Sequence, residues 1–281
     1  MVSKLKINHL FRLLLWLALL LGAIPMLLPL LWTISTSLKS LGESFIFPPK
    51  WLPDKLIWHN YLHIFELLPI GYYFKNTLIV ATSVVIGRLM TSVLGAYAFA
   101  RFDFPGRDIL FFLFLGTLMI PSTALMVPRF IIIKYLGWID SYQALIVPRI
   151  FTAFGVFMLR QFFLAIPSDV IDAAKIDGCS TCRILLKVIL PLSKPALATL
   201  AIFTVIDVWN DLTWPLIVIN SPKMKVLSLA LTSFQGLHTT NWPLLTALAT
   251  LAQIPLISVY LLLQKHLVKG MLGFSIGMWY H

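Results

Sequence analysis

Residues 166–195 read IPSDVIDAAKIDGCSTCRILLKVILPLSKP, a short charged segment that lies between two long apolar runs. Ser168 predicts a helix N-cap, and Asp169 and Asp172 fall in the first turn, where the positive end of the helix dipole favours carboxylates. Gly178 predicts the end of this helix, because glycine readily adopts the left-handed conformation that closes many helices. The segment is therefore predicted to begin with a short amphipathic helix.

A second short helix is predicted in the other half of the segment. It starts at Ser180 and ends before Pro191, because a proline interrupts the backbone hydrogen bonds of a helix. Ala173, Ala174 and Gly178 keep the bend between the two helices narrow. Such a projection fits a groove on another protein, and it contains no catalytic constellation.

The composition of the chain excludes a water-soluble globular protein. Of its 281 residues 59% are hydrophobic and 12% are charged, and the mean hydropathy is +0.90. These values predict a polytopic membrane protein. The net charge of +11 does not indicate nucleic-acid binding, because membrane topology itself requires basic residues between apolar spans. No loop is long enough for a separate soluble core, so residues 1–281 are predicted to form a single membrane domain.

The apolar runs predict an all-α fold with six transmembrane helices. The predicted spans are residues 13–34, 76–99, 109–127, 144–163, 195–219 and 244–263. Six spans place both termini on one side of the membrane, and twelve Lys and Arg residues lie on that side against seven on the other. The positive-inside rule therefore predicts that both termini and the 166–195 segment are cytoplasmic.

Two histidines and a glutamate lie close together in the predicted first external loop. His59, His63 and Glu66 fall on one side of a helical turn, which allows metal binding as one interpretation. The zincin pattern requires Glu directly after the first His, and Asn60 stands there instead. The favoured interpretation is a helix at the membrane interface, with Trp58 as an anchor, and no metal site is predicted.

Polar residues within the predicted spans are candidates for a solute path. Arg88 lies near the middle of the second span, where it either lines or gates a pore or donates to carbonyls of a neighbouring helix. The fifth span carries four further candidates, which are Asp207, Asn210, Asp211 and Trp214. Carboxylates and amides bind sugar hydroxyls and an indole stacks on the apolar face of a sugar, so this set suits a hydroxyl-rich solute. Pro215 is predicted to interrupt the helix here.

The 166–195 segment resembles the cytoplasmic signature of the permease subunits of ATP-binding-cassette (ABC) importers. That signature reads Glu-Ala-Ala, three residues, Gly, nine residues, Ile, one residue and Leu-Pro. The matching positions are Asp172, Ala173, Ala174, Gly178, Val188, Leu190 and Pro191, and Asp177 precedes the glycine as in many sugar permeases. Asp172 replaces the usual Glu and Val188 the usual Ile. The resemblance implies that all of these residues except Val188 couple the chain to an ATPase.

Two further blocks are similar to the carbohydrate-uptake, maltose-type branch of these permeases. One is LGAYAFAR at 94–101 with FPGR at 104–107, and the other is WNDLTWPLIV at 209–218. The resemblance implies the type I ABC importer permease fold, with a core over residues 72–266 and a coupling loop over 166–195. In that family the Asn and Asp of the second block either contact the solute or tie helices together.

The same resemblance implies the partners of the chain. A second, unlike permease subunit would form a heterodimer with it among the lipids of the bacterial cytoplasmic (inner) membrane. Two ATP-binding cassette subunits would bind ATP and Mg²⁺, and no cofactor is expected in this chain, which has no Gly-x-x-x-x-Gly-Lys motif. An extracytoplasmic solute-binding protein would deliver a sugar or a sugar-like solute, such as an oligosaccharide, a disaccharide, a glycoside, a polyol or glycerol phosphate.

An ion-coupled secondary transporter is the alternative function. Such carriers place buried carboxylates or unwound helices at matching positions of two repeats. The chain has no internal repeat, and Asp207 and Asp211 are the only acids in the predicted spans. An intramembrane enzyme is disfavoured because no Ser/His/Asp or His-rich constellation occurs.

Overall fold

The computed structural model describes residues 9–236 and 239–277 of the chain. Over these ranges the protein is all-α, as predicted, with one isolated β-bridge between Gln235 and Thr240. The helices are α1 (His9–Ser37), α2 (His59–Leu67), α3 (Ile70–Arg101), α4 (Arg107–Gly116), α5 (Met126–Tyr135), α6 (Tyr142–Ile150), α7 (Ala153–Leu164), α8 (Ser168–Ile176), α9 (Thr181–Ile184), α10 (Leu190–Leu192), α11 (Lys194–Asn210), α12 (Thr213–Val218), α13 (Leu227–Thr232) and α14 (Trp242–Gly277).

Three of the described helices are long and apolar enough to cross a membrane. They are residues 13–37 of α1, the whole of α3, and residues 242–262 of α14. The number rises to five if each of two bent pairs is one span: α6 with α7, bent by 41°, and residues 181–192 with α11, bent by 77°. The count of six spans stays a prediction.

The predicted third span, residues 109–127, is not one continuous helix. α4 ends at Gly116, a 3₁₀ turn follows, and α5 begins only at Met126. Ile120 has an extended backbone, as expected of the residue that precedes a proline, here Pro121. Hydropathy alone conceals this break, because the residues that cause it are few and lie among apolar side chains.

Packing divides the chain into two compact units. Of the described residues, one unit contains 9–69, 231–236 and 239–253, and the other contains 70–230 and 254–277. The 166–195 segment and all candidates for the solute path belong to the second unit. The single domain over 1–281, with its core at 72–266, stays a prediction.

Small residues allow α3 and α7 to pack closely in the second unit. A methyl group on Gly95 of α3 would lie 3.1 Å from Val156 of α7. A methyl group on Gly155 of α7 would collide with Ser92 of α3 and would lie 3.2 Å from Leu200 of α11. Small residues of this kind bring the backbones of membrane helices together.

Replacing Gly155 with alanine is expected to lower the free energy of unfolding by about 1–3 kcal/mol, because the added methyl group over-packs the contact among α3, α7 and α11. Gly71→Ala is the matched control, since Gly71 lies in α3 and none of the described residues outside its own helical turns approaches within 4 Å of the methyl group that would be added there. Thermal unfolding of the detergent-purified chain measures both variants. An equal loss of stability in the two would contradict the packing argument.

Candidate functional site

The 166–195 segment forms short helices that meet at Gly178. α8 ends in a Schellman motif, in which Gly178 N donates to Lys175 O (2.9 Å) and Cys179 N donates to Ala174 O (3.0 Å). Gly178 has a φ of +75°, which glycine adopts without the steric cost that a side chain brings. The predicted end of the first helix is confirmed.

Two predictions about the ends of these helices are wrong. Ser168 is the first residue of α8 rather than its cap, and its hydroxyl donates to Asp169 Oδ1 at 3.4 Å instead of accepting from the backbone. The helix that follows Ser180 does not stop before Pro191 but continues through it. A π turn at Leu185–Ile189 widens the backbone ahead of the proline, whose ring would clash with a carbonyl in a regular α-helix.

One face of the segment is buried against α3 and α7. Ile171 and Ala174 of α8 and Ile184 of α9 join the buried cluster that α3 and α7 form. Tyr97 of α3 also donates from its hydroxyl to Thr181 O at 3.3 Å. Because this apolar area is removed from solvent, the segment is held to α3 and α7 by packing.

The opposite face is exposed and carries most of the predicted coupling residues. Asp172, Ala173, Asp177, Gly178 and Pro191 are exposed, whereas Leu190 is half-buried and Ala174 is buried. Asp172 pairs with Lys175 of the next turn at 2.8 Å, a surface ion pair that adds little stability. Ile176 beside them is 86% exposed. Apolar and charged groups on a firmly packed helix together form a surface suited to a protein partner.

Two arginines fix the ends of α3 and α7 next to the segment. The guanidinium of Arg101 donates to Phe163 O and, at 2.8 Å, to Ile166 O. Arg160 of α7 in turn donates from Nε to Phe99 O of α3 at 3.1 Å. Carbonyls near the C-terminal end of a helix lack hydrogen-bond donors within that helix, and the two arginine side chains act as donors to them.

Arg88 and Thr91 of α3 donate hydrogen bonds to backbone carbonyls at the break between α6 and α7. This break lies at residues 151–152. Arg88 Nε donates to Arg149 O (2.7 Å) and Thr91 Oγ1 donates to Ile150 O (2.9 Å). Backbone carbonyls that a break leaves unpaired must find such partners in a membrane. Arg88 also binds Asp207 of α11 at 2.7 Å. Arg88 thus donates to one backbone carbonyl of a neighbouring helix, and its role in lining or gating a pore stays a prediction.

Asp211 joins three elements at a second break, between α11 and α12. Its carboxylate binds Arg149 and accepts from the backbone N of Thr213 (3.1 Å) and of Trp214 (3.3 Å), while its carbonyl accepts from Ser228 Oγ (2.7 Å). The side chains of Arg149 and Asp211 are only 13% and 15% exposed. Asp211 thus caps α12 and holds it to α6 and α13.

The predicted interruption of the helix near Pro215 is confirmed, and its cause is visible. Pro215 has no backbone N–H and cannot donate to the carbonyl of Asp211 four residues earlier. Ser228 supplies that hydrogen bond from another element. Pro215 itself lies in the first turn of α12, where a proline removes no helical hydrogen bond.

The remaining candidates differ in their exposure. The side chain of Asp207 is 51% exposed, and Asn210 is exposed and donates within its own helix. Trp214 is buried, its indole N–H donates to a backbone carbonyl of α6, and Arg129 lies over its ring at 5.3 Å. One polar network therefore links Arg88, Asp207 and Asp211 through Arg149, whereas Asn210 lies beside it.

Two residues that the sequence analysis does not single out are central to this region. Arg149 could have been found, because an arginine in the apolar fourth span requires a partner. Asn76 of α3 donates to Lys223 O (2.8 Å) and Lys225 O (2.9 Å) and accepts from Tyr142 (2.6 Å). No local pattern marks Asn76, because Lys223 is 147 residues away in sequence.

Asp140 holds the loop that precedes α6 to the end of α12. Its backbone N donates to Val218 O (2.8 Å), and its Oδ1 accepts from the backbone N of Asn220 and of Ser221, both at 3.0 Å. Burial raises the pKa of Asp140, but the hydrogen bonds from Ser221 and Asn220 outweigh burial and hold the pKa below its usual value. The carboxylate therefore remains charged at neutral pH, and its contribution to stability is lost only as the pH falls through that lowered pKa.

The amino-acid sequence is similar to one protein family and to two known transport proteins. Residues 83–273 match the family described as binding-protein-dependent transport system inner membrane component. The chain is 33% identical over 238 residues to the arabinooligosaccharides transport system permease protein AraQ of Halalkalibacterium halodurans, which covers 84% of each chain. It is 32% identical over 263 residues to the sn-glycerol-3-phosphate transport system permease protein UgpE of Yersinia pestis bv. Antiqua, which covers 90% of this chain and 93% of that one.

A solved structure supports the fold independently. One chain of a bacterial ABC transporter involved in the import of the acidic polysaccharide alginate matches with a TM-score of 0.80 and 24% identity. The match covers 95% of this chain and 100% of that chain. The chain therefore has the permease fold of an ABC importer and belongs to the family of binding-protein-dependent transport system inner membrane components.

Proposed function

We propose that this chain is one of two unlike permease subunits of an ATP-driven importer and that the 166–195 segment couples it to a separate ATPase. The observation that carries the proposal is the two-sided character of α8. Ile171 and Ala174 pack into the cluster formed with α3 and α7, whereas Asp172, Asp177 and Gly178 face outward. A surface that is fixed to membrane helices on one side and exposed on the other can transmit a displacement from a partner.

The energy for transport would come from the partner subunits. Two ATP-binding cassette subunits would bind ATP and Mg²⁺, and this chain would contribute no nucleotide site. Their closure would move α8 and, through the buried cluster, α3 and α7. The breaks at 151–152 and 211–212 give the helices points at which to bend, so the path would open to one side of the membrane at a time.

The proposed solute is a sugar or a sugar-like molecule. The relatives named for arabinooligosaccharides and for sn-glycerol-3-phosphate support this class. Asp207 and Asn210 are proposed to line the path, because both are exposed and a carboxylate or amide oxygen can accept hydrogen bonds from hydroxyl groups. Arg88, Asp211 and Trp214 are proposed to hold the broken helices around that path, because each is hydrogen-bonded to a neighbouring helix.

An ion-coupled carrier fits these contacts less well. Asp207 and Asp211, the only acids in the predicted spans, bind Arg88 and Arg149 respectively. Each carboxylate thus already has an arginine as its cationic partner, and a coupling ion would have to compete with that arginine. An energy source outside this chain is the simpler account.

The proposed arrangement in the membrane places both termini and the 166–195 segment in the cytoplasm. The excess of Lys and Arg on that side supports this orientation. A solute-binding protein would then dock on the opposite side. A bacterial alginate ABC transporter of similar fold was solved in complex with a periplasmic protein, which supports a partner of this kind.

Reconstitution tests the proposal. The chain is purified with the products of its neighbouring genes and placed in proteoliposomes with the cognate binding protein and a panel of labelled sugars and glycerol phosphate. We expect uptake of one class of solute that requires both ATP and the binding protein. Uptake that is driven by an ion gradient and needs no ATPase would contradict the proposal.

A further inference from the structure

Three side chains with metal-ligating atoms converge on the exposed face of α2. His59, His63 and Glu66 each offer one ligand atom, and these atoms lie within 4.8 Å of one another. His63 Nδ1 and Glu66 Oε2 are 2.9 Å apart, and the rings of His59 and His63 stack with their centroids 5.6 Å apart. The spacing of four and then three residues places all three on one stripe of the helix.

The opposite face of α2 fixes the helix to its surroundings. Ile64 is fully buried, and Asn60 donates to Ser37 O (2.8 Å) and to Lys39 O (3.0 Å). The hydroxyls of Tyr61 and Ser37 are 2.7 Å apart. The stripe is therefore presented on an anchored backbone, and the ligand atoms need only side-chain rotation to surround an ion.

We propose that His59, His63 and Glu66 bind one divalent transition-metal ion of the zinc type, with water completing the coordination. Two imidazole nitrogens favour such ions over Mg²⁺ and Ca²⁺, which prefer oxygen ligands. His63 and Glu66 are 41% and 61% exposed, so an ion reaches them directly from solvent. The site is a binding site and not a hydrolytic centre, because Asn60 occupies the zincin glutamate position and is bonded inward.

Metal binding at this stripe stabilises α2. The helix has nine residues, no side-chain hydrogen bond at its N-cap and no acidic residue in its first turn, which are features of a weakly stabilised helix. A metal that bridges His59 in the first turn and Glu66 near the last ties the helix together along its length. The role is separate from the coupling of ATP hydrolysis to transport.

Titration of the full-length chain in detergent with Zn²⁺ tests this site, and calorimetry measures the binding. A second titration uses Co²⁺ in place of Zn²⁺ and records the visible spectrum of the bound ion. We expect saturable binding and an increase in the melting temperature. His59→Ala and His63→Ala are each expected to weaken Zn²⁺ binding at this site by about tenfold or more, since even outer partners of a metal site contribute about that much. Both effects arise in the absence of any ATPase or solute.

Leu62→Ala is the matched control, because Leu62 is an exposed residue of the same helix that offers no ligand atom. It should leave the affinity for Zn²⁺ and the Co²⁺ spectrum unchanged. Two results would overturn the site: no Zn²⁺ binding by the unaltered chain, or binding that is unchanged in the variant with both histidines replaced. Neither result bears on ATP-dependent uptake, so failure here is distinguishable from failure of the proposed transport function.

Discussion

Replacing Gly178 with valine is expected to reduce ATP-coupled uptake by about tenfold or more while the chain still inserts and folds. The left-handed backbone at Gly178 costs a residue with a side chain about 1–2 kcal/mol. Among the residues that the structure describes, none lies within 4 Å of a Cβ added at Gly178, its two chain neighbours apart, so the new side chain meets no clash at its Cβ. In the proposed complex, however, the new side chain projects from the bend that enters the partner. Uptake by proteoliposomes that contain equal amounts of each protein measures the effect.

Gly106→Val is the control that shows whether a loss of uptake in Gly178→Val comes from impaired docking or from backbone strain. Gly106 has a φ of +78° and equally open surroundings, but it lies in the turn between α3 and α4 and outside the 166–195 segment. The two substitutions therefore impose the same kind of strain. We expect Gly106→Val to retain most of the uptake. Equal losses in both variants would mean that strain alone is responsible and would remove this support for a coupling role of Gly178.

Replacing Asp211 with alanine is expected to lower the free energy of unfolding by about 3–5 kcal/mol, because it leaves the buried charge of Arg149 without a partner. The substitution also removes the cap of α12. Thermal or denaturant unfolding of the purified chain measures the loss. Asp207→Ala is the matched control in the last turn of α11, just before the break that contains Asp211. Because Asp207 is 51% exposed, water can take its place beside Arg88, and its removal is expected to cost about 1 kcal/mol or less.

Two further variants divide the effect of Asp211 into its parts. Asp211→Asn keeps a capping oxygen but loses the charge, so it reports the ion pair with Arg149 alone. The double variant Arg149→Met with Asp211→Leu removes both charges and should recover much of the stability that either single change loses. If Asp211→Ala cost no more than Asp207→Ala, the description of Asp211 as the residue that joins α6, α12 and α13 would be wrong.

Local chemistry made the 166–195 segment largely predictable. A glycine that follows a short amphipathic helix commonly closes it, and Gly178 indeed closes α8 in a left-handed conformation. The path of the chain through Pro191 was not predictable, because whether a π turn relieves the proline depends on packing rather than on the local sequence. The role of Ser168 was not predictable either. Its hydroxyl can accept from a backbone N–H of the first turn or donate to the neighbouring carboxylate of Asp169, and the structure shows the second contact.

Long-range pairing set the limit of prediction in the membrane helices. Asp211 and Arg149 are 62 residues apart. The sequence contains both charged residues but does not indicate that they form an ion pair. The break between α4 and α5 was hidden for a related reason, since the mean hydropathy of a window does not register one Ile-Pro step. Composition predicts that a stretch is apolar, whereas the continuity of its helix depends on single residues.

The exchange of hydrogen bonds by Arg101 and Arg160 has a mechanical consequence. Each guanidinium donates to a backbone carbonyl of the other helix, so near the 166–195 segment α3 and α7 resist sliding past one another. Further along, α7 is separated from α6 by a break whose carbonyls depend on two side chains of α3. In the proposed complex, a displacement of α8 would thus be transmitted along this pair of helices towards that break, about one helix length away.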